Sequence, residues 1–228
     1  MKKIIILLIG GMIGGLAQGQ SFVETNKVTA TPGVAIPMGN PTGVAVSFNV
    51  TGSTGVVSDV QVDLNISGGF NGNLYAYLTG PSGQLAVLLN RVGVTSGNPF
   101  GYSNPGFDVT FDVASTSNIH NYGSIGYTPN GSGQVTGVWA ADGRNINPLS
   151  SGSTFDSAPT TSGLNVFEDT APTGTWTLFV ADLSSGGGVA DLNSVGISVI
   201  TVPEPGTLAL VGGGLALAGI WRRRAVKA

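Results

Sequence analysis

The stretch Asp59-Val60-Gln61-Val62-Asp63-Leu64-Asn65-Ile66 alternates strictly between polar and apolar residues. Successive side chains of a β-strand point to opposite faces, so this order places four apolar residues on one face and four polar residues on the other. A strand of this kind buries its apolar face and leaves its polar face in solvent. The stretch therefore predicts a half-buried β-strand.

The same two-residue period recurs in five other stretches, and glycine- and proline-rich turn clusters separate them. Between the two ends of the chain, no long helical pattern competes with this period. Many short strands with such turns predict an all-β fold, an antiparallel β-sandwich or jelly roll. The other predicted strands cover residues 44–50, 74–78, 107–113, 175–180 and 195–199.

The C-terminal residues combine three features in succession. In Val202-Pro203-Glu204-Pro205, each proline fixes its own φ and favours an extended residue before it, so Glu204 is held on a stiff, extended segment. Residues 207–221 are uncharged and mostly apolar, but a helix of that length spans only about 22 Å, against about 30 Å for a hydrocarbon core. This shortfall favours a transmembrane helix that is held temporarily. The basic cluster Arg222-Arg223-Arg224 would keep its end on the cytoplasmic side.

These features resemble the PEP-CTERM sorting signal of Gram-negative bacteria. The resemblance rests on Pro203, Glu204 and Pro205, on the short apolar run, and on the arginine cluster. It implies cleavage near the tripeptide by an exosortase-type membrane peptidase, and delivery to the cell envelope or to an extracellular polysaccharide matrix. The alternative is an ordinary tail anchor that contains Pro-Glu-Pro by chance.

The N-terminal residues have the order of a secretory signal peptide. Lys2 and Lys3 precede the apolar residues 4–13, and Ala17 and Gly19 are small residues at the spacing that signal peptidase prefers. We expect cleavage after Gly19, with cleavage after Ala17 as the alternative. The predicted organisation is a signal peptide (1–19), a β-sandwich body (20–201) and a sorting signal (202–228).

Charge and cysteine content limit the kinds of partner and site. The net charge is −3, but six of the nine basic residues lie in the two targeting segments. The acidic body that remains would repel nucleic acid phosphates and anionic lipid headgroups, so we expect neither as a partner of the body. The chain has no cysteine, which excludes disulfides and thiolate metal sites. The stability of the body must therefore come from packing.

Two further segments are similar to the P domain, or P/Homo B domain, of kexin-like proprotein convertases. The opening segment runs from Ser58-Asp59-Val60 through Gly72-Asn73-Leu74-Tyr75-Ala76-Tyr77-Leu78-Thr79-Gly80-Pro81-Ser82-Gly83. The closing segment is Gly174-Thr175-Trp176-Thr177-Leu178-Phe179-Val180-Ala181-Asp182, followed by Leu192-Asn193-Ser194-Val195-Gly196-Ile197. The resemblance implies a jelly-roll β-sandwich. The chain departs from the family at Asn73, where the family often has an acidic residue, and at Val195, where it usually has Trp. A neutral Asn73 would weaken any cation site that used the acidic residue.

We expect no enzymatic activity. His120 is the only histidine, and Asp112, Ser115 and Ser117 lie near it in sequence. Composition alone therefore allows a hydrolase in which these residues form a nucleophile, base and orienting acid. The body has no Gly-x-Ser-x-Gly turn and no nucleophilic cysteine. In the convertases the catalytic residues lie in a separate subtilisin domain. A lone histidine in a loop is more often a turn or packing residue.

The sequence indicates no definite cofactor, but it allows the body to bind calcium. Calcium prefers six to eight oxygen ligands, and several pairs of acidic residues in the body could supply some of them. Pairs within strands, such as Asp59 and Asp63, are most simply solvated faces. If one calcium ion binds, Asp182 and Asp191 are the candidate ligands, because they flank the glycine-rich turn 184–188.

Three aromatic residues are candidate contacts for a ligand. Tyr75 and Tyr77 lie on the strand face opposite Leu74, Ala76 and Leu78, so they either present a flat platform for sugar rings or face the core. The sequence leaves both readings open. The other candidate is Trp139, which precedes a turn-rich stretch.

Together these features predict an exported, non-enzymatic protein of the cell envelope or extracellular matrix. Its role would be that of an adhesive or structural binding module in exopolysaccharide or biofilm. Signal peptidase and an exosortase-type peptidase would process it, exopolysaccharide or another envelope protein would bind it, and the membrane would hold it only before processing. The alternative is a P-domain-like accessory to a separate subtilisin-like peptidase.

Overall fold

The structure, a computed structural model, describes residues 23–203. The predicted signal peptide and transmembrane helix lie outside these residues. Between residues 23 and 203, no helix has the length and hydrophobicity needed to cross a membrane. The strands and helices of this part are β1 (Glu24–Ala30), β2 (Val34–Ile36), β3 (Val44–Val50), β4 (Val56–Gly68), β5 (Leu74–Thr79), β6 (Leu85–Asn90), β7 (Gly106–Phe111), α1 (Tyr122–Ile125), β8 (Val135–Trp139), α2 (Gly152–Ser157), β9 (Gly174–Asp182) and β10 (Ala190–Val202).

The strands form two sheets. The first sheet has the order β1-β10-β4-β7-β8, and the second has the order β3-β9-β5-β6. Strand β10 is an inner strand of the first sheet and pairs with β4 over its whole length. Its other edge pairs with β2 at Ala190–Leu192 and with β1 from Val195 to Thr201.

The alternating stretch predicted from the sequence lies in β4, at the centre of the first sheet. Strand β4 buries Val60, Val62, Leu64 and Ile66, while the polar residues between them are partly exposed. It pairs with β10 on one edge and with β7 on the other. The prediction of a half-buried strand is confirmed, because one face of β4 covers the core.

The buried faces of the two sheets enclose a hydrophobic core. Trp176 of β9 and Phe111 of β7 are among its largest fully buried side chains. The indole Nε1 of Trp176 donates a hydrogen bond to the backbone oxygen of Pro172 at 2.9 Å, so its polar atom is also satisfied. Full burial of a side chain such as Phe111 contributes about 1.5–3 kcal/mol to folding. With no disulfide in the chain, this packing stabilises the body.

Strand β6 escapes detection by alternation because nearly all of its residues are buried. The backbone nitrogen of Val87 donates to the oxygen of Ser162 at 2.8 Å, and the nitrogen of Gly143 donates to the oxygen of Val87 at 3.0 Å. A loop therefore covers the edge of β6 that β5 leaves free. Strands buried on both faces read as continuous apolar runs, which periodicity alone cannot assign.

The predicted β-sandwich is confirmed, but its sheets are not wholly antiparallel. Strands β7 and β8 pair in parallel, with Phe107 opposite Val135 and Phe111 opposite Trp139. A parallel pair needs a crossover of a dozen or more residues. Residues 112–134, which include α1, supply that crossover. The expectation of an antiparallel fold is therefore wrong for this one pair.

Both ends of the described chain lie at the same end of the first sheet. Glu24, the first residue of β1, is paired with Thr201, near the end of β10. Thr201 is 1% exposed and Val199 is fully buried, so the C-terminal part of β10 belongs to the packed body.

Candidate ligand-binding face

The outer face of the second sheet carries the two tyrosines of β5. Leu74, Ala76 and Leu78 are fully buried in the core, and Tyr75 and Tyr77 point the other way and are partly exposed. The sequence allows the tyrosines either on the surface or in the core, and the structure places them outside the core. Strand alternation produces this arrangement, because the apolar face of β5 packs against the first sheet.

Phe179 of β9 completes an aromatic cluster with these tyrosines. Phe179 lies directly across from Tyr77, and their rings stack with centroids 4.9 Å apart and an interplanar angle of 21°. The ring of Tyr75 lies 5.7 Å from that of Tyr77 and 6.5 Å from that of Phe179. We call Tyr75, Tyr77 and Phe179 the aromatic face. Sequence alternation alone could not find Phe179 as their neighbour, because the pairing of β5 with β9 is a long-range contact.

A row of hydroxyl groups continues the aromatic face along the sheet. Thr79, Thr177 and Ser47 lie side by side on β5, β9 and β3, and Ser47 Oγ is 3.0 Å from Thr177 Oγ1. None of these six outward residues is charged. The face therefore offers aromatic surface and neutral hydrogen-bonding groups to a ligand.

The Tyr75 hydroxyl is shifted further toward its protonated form. Burial, with a smaller contribution from Tyr77, raises the pKa of Tyr75 above its ordinary value. Its hydroxyl therefore stays a neutral hydrogen-bond donor and acceptor.

Trp139 is not available as a surface contact, so this prediction is wrong. It is the last residue of β8, is 5% exposed, and packs in the core. Its Nε1 donates to the backbone oxygen of Thr136 at 2.9 Å. The two residues before it, Gly137 and Val138, are exposed. The polar residues that follow Trp139 in sequence suggest a surface loop, but the indole itself turns inward.

The two candidate calcium ligands lie in different sheets. Asp182 ends β9 and is fully buried, whereas Asp191 is partly exposed in β10. One oxygen of Asp182 accepts a hydrogen bond from the nitrogen of Ser184 at 3.0 Å, and the other is buried with no partner among the described residues. Burial raises the pKa of Asp182. Within residues 23–203, no group of three or more His, Asp or Glu side chains is arranged to hold a metal ion.

His120 is 1% exposed. Its Nδ1 lies 2.7 Å from Oδ2 of Asp142, its Nε2 lies 3.1 Å from the oxygen of Val94, and its ring stacks on Phe155. A general base needs a ring nitrogen that can reach a nucleophile, and both nitrogens of His120 are engaged. Asp112, its acidic neighbour in sequence, makes its hydrogen bonds elsewhere.

A second aromatic surface lies where loops meet near the start of β5, and the sequence analysis did not identify it. It is a cavity of about 250 Å³. Phe100 at its edge is 80% exposed, which is unusual for a phenylalanine. The signal available in the sequence is a large apolar residue inside the turn-forming stretch Pro99-Phe100-Gly101. The residues that line the cavity are Phe70, Asn73, Phe100, Gly101, Tyr102, Ser103, Ser184 and Gly186.

Comparison with known protein families gives a match to the PEP-CTERM protein-sorting motif at residues 201–224. The chain carries a PEP-CTERM sorting motif. The prediction from Pro203, Glu204, Pro205 and the residues that follow is thereby confirmed. The motif implies an exported protein that is sorted to the cell surface and processed by an exosortase. Glu204, Pro205, Arg222, Arg223 and Arg224 lie outside the described residues.

Two solved structures of Aeromonas sobria serine protease are similar to the chain. The protease in complex with the chaperone ORF2 has 14% sequence identity and a TM-score of 0.45, over 79% of this chain and 27% of the protease. The protease alone has 13% identity and a TM-score of 0.43, over 78% of this chain and 27% of the protease. The chain therefore spans about a quarter of these proteins. No curated protein matches it.

The sorting motif starts inside the folded body. Its first two matched residues, Thr201 and Val202, are the last residues of β10, and they pair with Val57 and Val56 of β4. Pro203 is the first residue of the motif beyond the strand. The predicted boundary between body and sorting signal, after Thr201, thus falls within β10.

Proposed function

We propose that this protein is a non-enzymatic binding module of the cell envelope or extracellular matrix. Its sorting motif directs its export and processing, and its aromatic face binds a neutral polysaccharide of the exopolysaccharide or biofilm matrix. The observation that carries the proposal is the partly exposed cluster of Tyr75, Tyr77 and Phe179 beside a row of uncharged hydroxyl groups.

The chemistry of this face suits a neutral sugar polymer. The C–H faces of sugar rings pack on aromatic rings, and sugar hydroxyls exchange hydrogen bonds with tyrosine, threonine and serine. A charged polymer would leave its charges without partners here, because the outward residues of the face are neutral. A polymer also matches the form of the site, since the rings and hydroxyls follow neighbouring strands and do not enclose a small cavity.

The surroundings of His120 support a role without catalysis. Its two ring nitrogens face a buried carboxylate and a backbone carbonyl, and Ser115, one of the serines near it in sequence, directs its hydroxyl to the oxygen of Val138. The histidine therefore contributes to packing and to a buried polar network.

Affinity electrophoresis of the processed protein through gels containing neutral or anionic polysaccharide tests the proposal. We expect retardation by a neutral polymer, and loss of that retardation in Tyr77→Ala. Val138→Ala, which removes an exposed apolar side chain from the first sheet, is the matched control and should migrate like the unmodified protein. If Phe100→Ala abolishes retardation and Tyr77→Ala does not, the ligand binds in the second aromatic surface, and the proposed face is wrong.

The second candidate function is that of a P-domain-like accessory to a separate subtilisin-like peptidase. The two stretches that resemble the P domain pair side by side as β5 and β9, with Leu74 opposite Asp182 and Leu78 opposite Leu178. Their pairing places both stretches in one sheet of the sandwich, which supports the resemblance to a P domain. Co-purification with such a peptidase, or a rise in its activity on mixing, would support this function. Binding to polysaccharide without either effect would exclude it.

A further inference from the structure

The end of the sandwich opposite to Glu24 and Val202 is built from uncharged segments. At this end β4 stops at Gly68 and β10 starts at Ala190, and these two residues are paired. Because β4 and β10 are each 13 residues long, this end lies about 40 Å from the end of β10. We call it the distal pole. The segments without a charged residue that meet here are 31–43, 69–73, 92–105 and 183–189.

Large apolar side chains are exposed at the distal pole. Phe100 is 80% exposed, Leu149 68% and Phe70 42%. Phe70 and Phe100 also line the cavity of the second aromatic surface. Contiguous exposed apolar surface marks an interaction site, whereas apolar residues scattered singly do not. The distal pole is therefore a candidate contact surface.

Arg91 holds the exposed loops in place. Its guanidinium donates to the backbone oxygens of Gly72, Pro99 and Pro148 at 3.2–3.4 Å. Pro99 directly precedes Phe100, and Pro148 directly precedes the exposed leucine. A Cβ placed on Gly72 would lie 2.3 Å from the backbone oxygen of Phe100, so two of the loops are in close backbone contact. The exposed side chains are thus presented on an ordered backbone, which lowers the entropy cost of binding a partner.

The distal pole contains both a protruding ring and a recess that can receive one. Phe100 lies at the edge of a cavity of about 250 Å³, whose walls include Phe70 and Tyr102. A cavity of about 150 Å³ is enough to hold benzene, so this cavity has room for a phenyl ring. A twofold-symmetric interface requires that one surface supply both sides of each contact. The distal pole meets this requirement, because Phe100 of one copy can enter the cavity of a second copy and receive that copy's ring in return.

The distribution of charge also favours a second copy at this pole. Residues 23–203 contain eleven acidic residues and three basic ones, so contacts between charged faces of two copies would bring like charges together. The uncharged segments of the distal pole avoid this repulsion. Two charged residues beside it have opposite signs, namely Arg91 and Asp156, whose carboxylate accepts a hydrogen bond from the nitrogen of Ser96 at 3.1 Å. Opposite signs are compatible with pairing across a twofold axis.

We propose that the distal pole is a self-association surface, at which two copies of this chain pair about a twofold axis with Phe100 of each copy in the cavity of the other. The aromatic face lies on the outer side of the second sheet and stays free in both copies. The ends of the two described chains then point away from each other. Where the aromatic face binds a polymer, the dimer offers two such faces and gains avidity without any new contact.

Sedimentation velocity of the processed protein over a range of concentrations tests the proposal. We expect a reversible equilibrium between monomer and dimer. Phe100→Ala should weaken the dimer by at least about 30-fold, the effect of an anchor residue at the centre of an interface. Ser103→Trp adds a large ring to an exposed residue of the cavity wall and should also weaken it. Val138→Ala, which removes an exposed apolar side chain from β8, is the matched control and should dimerise like the unmodified protein.

A mixture of the two weakened variants tests the exchange of rings directly. Phe100→Ala keeps an open cavity, and Ser103→Trp keeps its own Phe100, so a mixed pair recovers one of the two contacts. We expect heterodimers at concentrations where each variant alone is a monomer. A mixture that stays monomeric under those conditions would overturn the exchange of rings.

A monomer at every concentration, or a dimer that Phe100→Ala leaves intact, would overturn the proposal. Binding of the monomer to phosphatidylcholine vesicles, lost in Phe100→Ala, would assign the pole to a lipid surface and would also overturn it. Tyr77→Ala separates self-association from the proposed function, because it changes the aromatic face and not the pole. It should remove polysaccharide binding and leave the dimer unchanged, so either proposal can fail without the other.

Discussion

Nδ1 of His120 lies 2.7 Å from Oδ2 of Asp142, with both side chains almost completely buried. The same carboxylate also accepts hydrogen bonds from the backbone nitrogen of Asn90 at 3.2 Å and from Nη1 of Arg144 at 3.1 Å. Nε2 of His120 faces the oxygen of Val94. Asp142 is therefore the centre of a buried polar network that connects β6, the turn around His120 and the loop after β8.

Replacing Asp142 with alanine should destabilise the protein by at least about 3 kcal/mol, because the buried His120 and the partly buried Arg144 lose the carboxylate they contact. The free energy of unfolding in urea measures this. Asp108→Ala is the control, since Asp108 is exposed and its carboxylate accepts a hydrogen bond from the amide of Asn65 at 3.1 Å. It should change stability by no more than about 0.5 kcal/mol. Equal effects of the two substitutions would contradict the network.

Asp182 should make stability depend on pH in an unusual direction. Burial raises its pKa in the folded state above the ordinary value of 3.8. Above that raised pKa, the folded state contains a desolvated charge that the unfolded chain solvates. This penalty decreases as the pH falls through the raised pKa and is absent below the ordinary value. The unmodified protein should therefore gain stability relative to Asp182→Asn as the pH falls.

Urea unfolding of both proteins at about pH 7 and about pH 4 measures this difference. Asp156→Asn is the control of opposite sign, because hydrogen bonds from Ser96 lower the pKa of Asp156. Against Asp156→Asn, the unmodified protein should lose stability as the pH falls. A stability difference for Asp182→Asn that does not change with pH would contradict the prediction.

Gly55→Ala should destabilise the body by at least about 2 kcal/mol, because strain at a positive φ adds to the contact with the oxygen of Val202. Gly52 has a similar φ of +77° but open space around it, so Gly52→Ala should cost only about 1 kcal/mol. Hydrogen exchange at Thr201 and Val202 provides a local measurement. Exchange at these two residues should be faster in Gly55→Ala and unchanged in Gly52→Ala. Equal exchange rates in the two variants would contradict the idea that the turn at Gly55 holds the end of β10 in place.

Trp139→Ala should destabilise the protein by about 3–5 kcal/mol, as expected for an aromatic side chain removed from a core. Val138→Ala, at the adjacent exposed position, should have an effect within about 0.5 kcal/mol. Thermal or urea unfolding of the two variants measures the difference. A small effect of Trp139→Ala on stability, together with weaker polysaccharide binding, would restore the surface role that the sequence suggested.

The parts of the fold that sequence alone predicts are the strands with one face in the core. Strand β3 covers residues 44–50 as predicted, and β4 contains the alternating stretch. Strand β6 is buried on both faces, and β1 is an edge strand with little apolar content, so neither has a clear period. The parallel pairing of β7 with β8 depends on the path of the long connection between them, residues 112–134, and no local sequence pattern specifies that path.

The sequence predicts only the part of the candidate site that strand alternation determines, which is Tyr75 and Tyr77 on one face of β5. The alternation of β5 separates Tyr75 and Tyr77 from the core residues but does not say which side is buried. Phe179 joins them only through the pairing of β5 with β9. Trp139 and Asp182 both lie beside polar turn residues in sequence, yet their side chains turn inward. Local composition therefore misleads at strand ends, where the last residue can still face the core.

The pairing of Glu24 with Thr201 brings the two ends of the body to one pole of the molecule. The first and last strands of the described chain, β1 and β10, therefore begin and end in the same region of space. A body whose two ends are neighbours can complete its fold even while both ends are held. A circular permutant that joins residues 23 and 203 through a short loop would keep every strand pairing and move the free ends elsewhere.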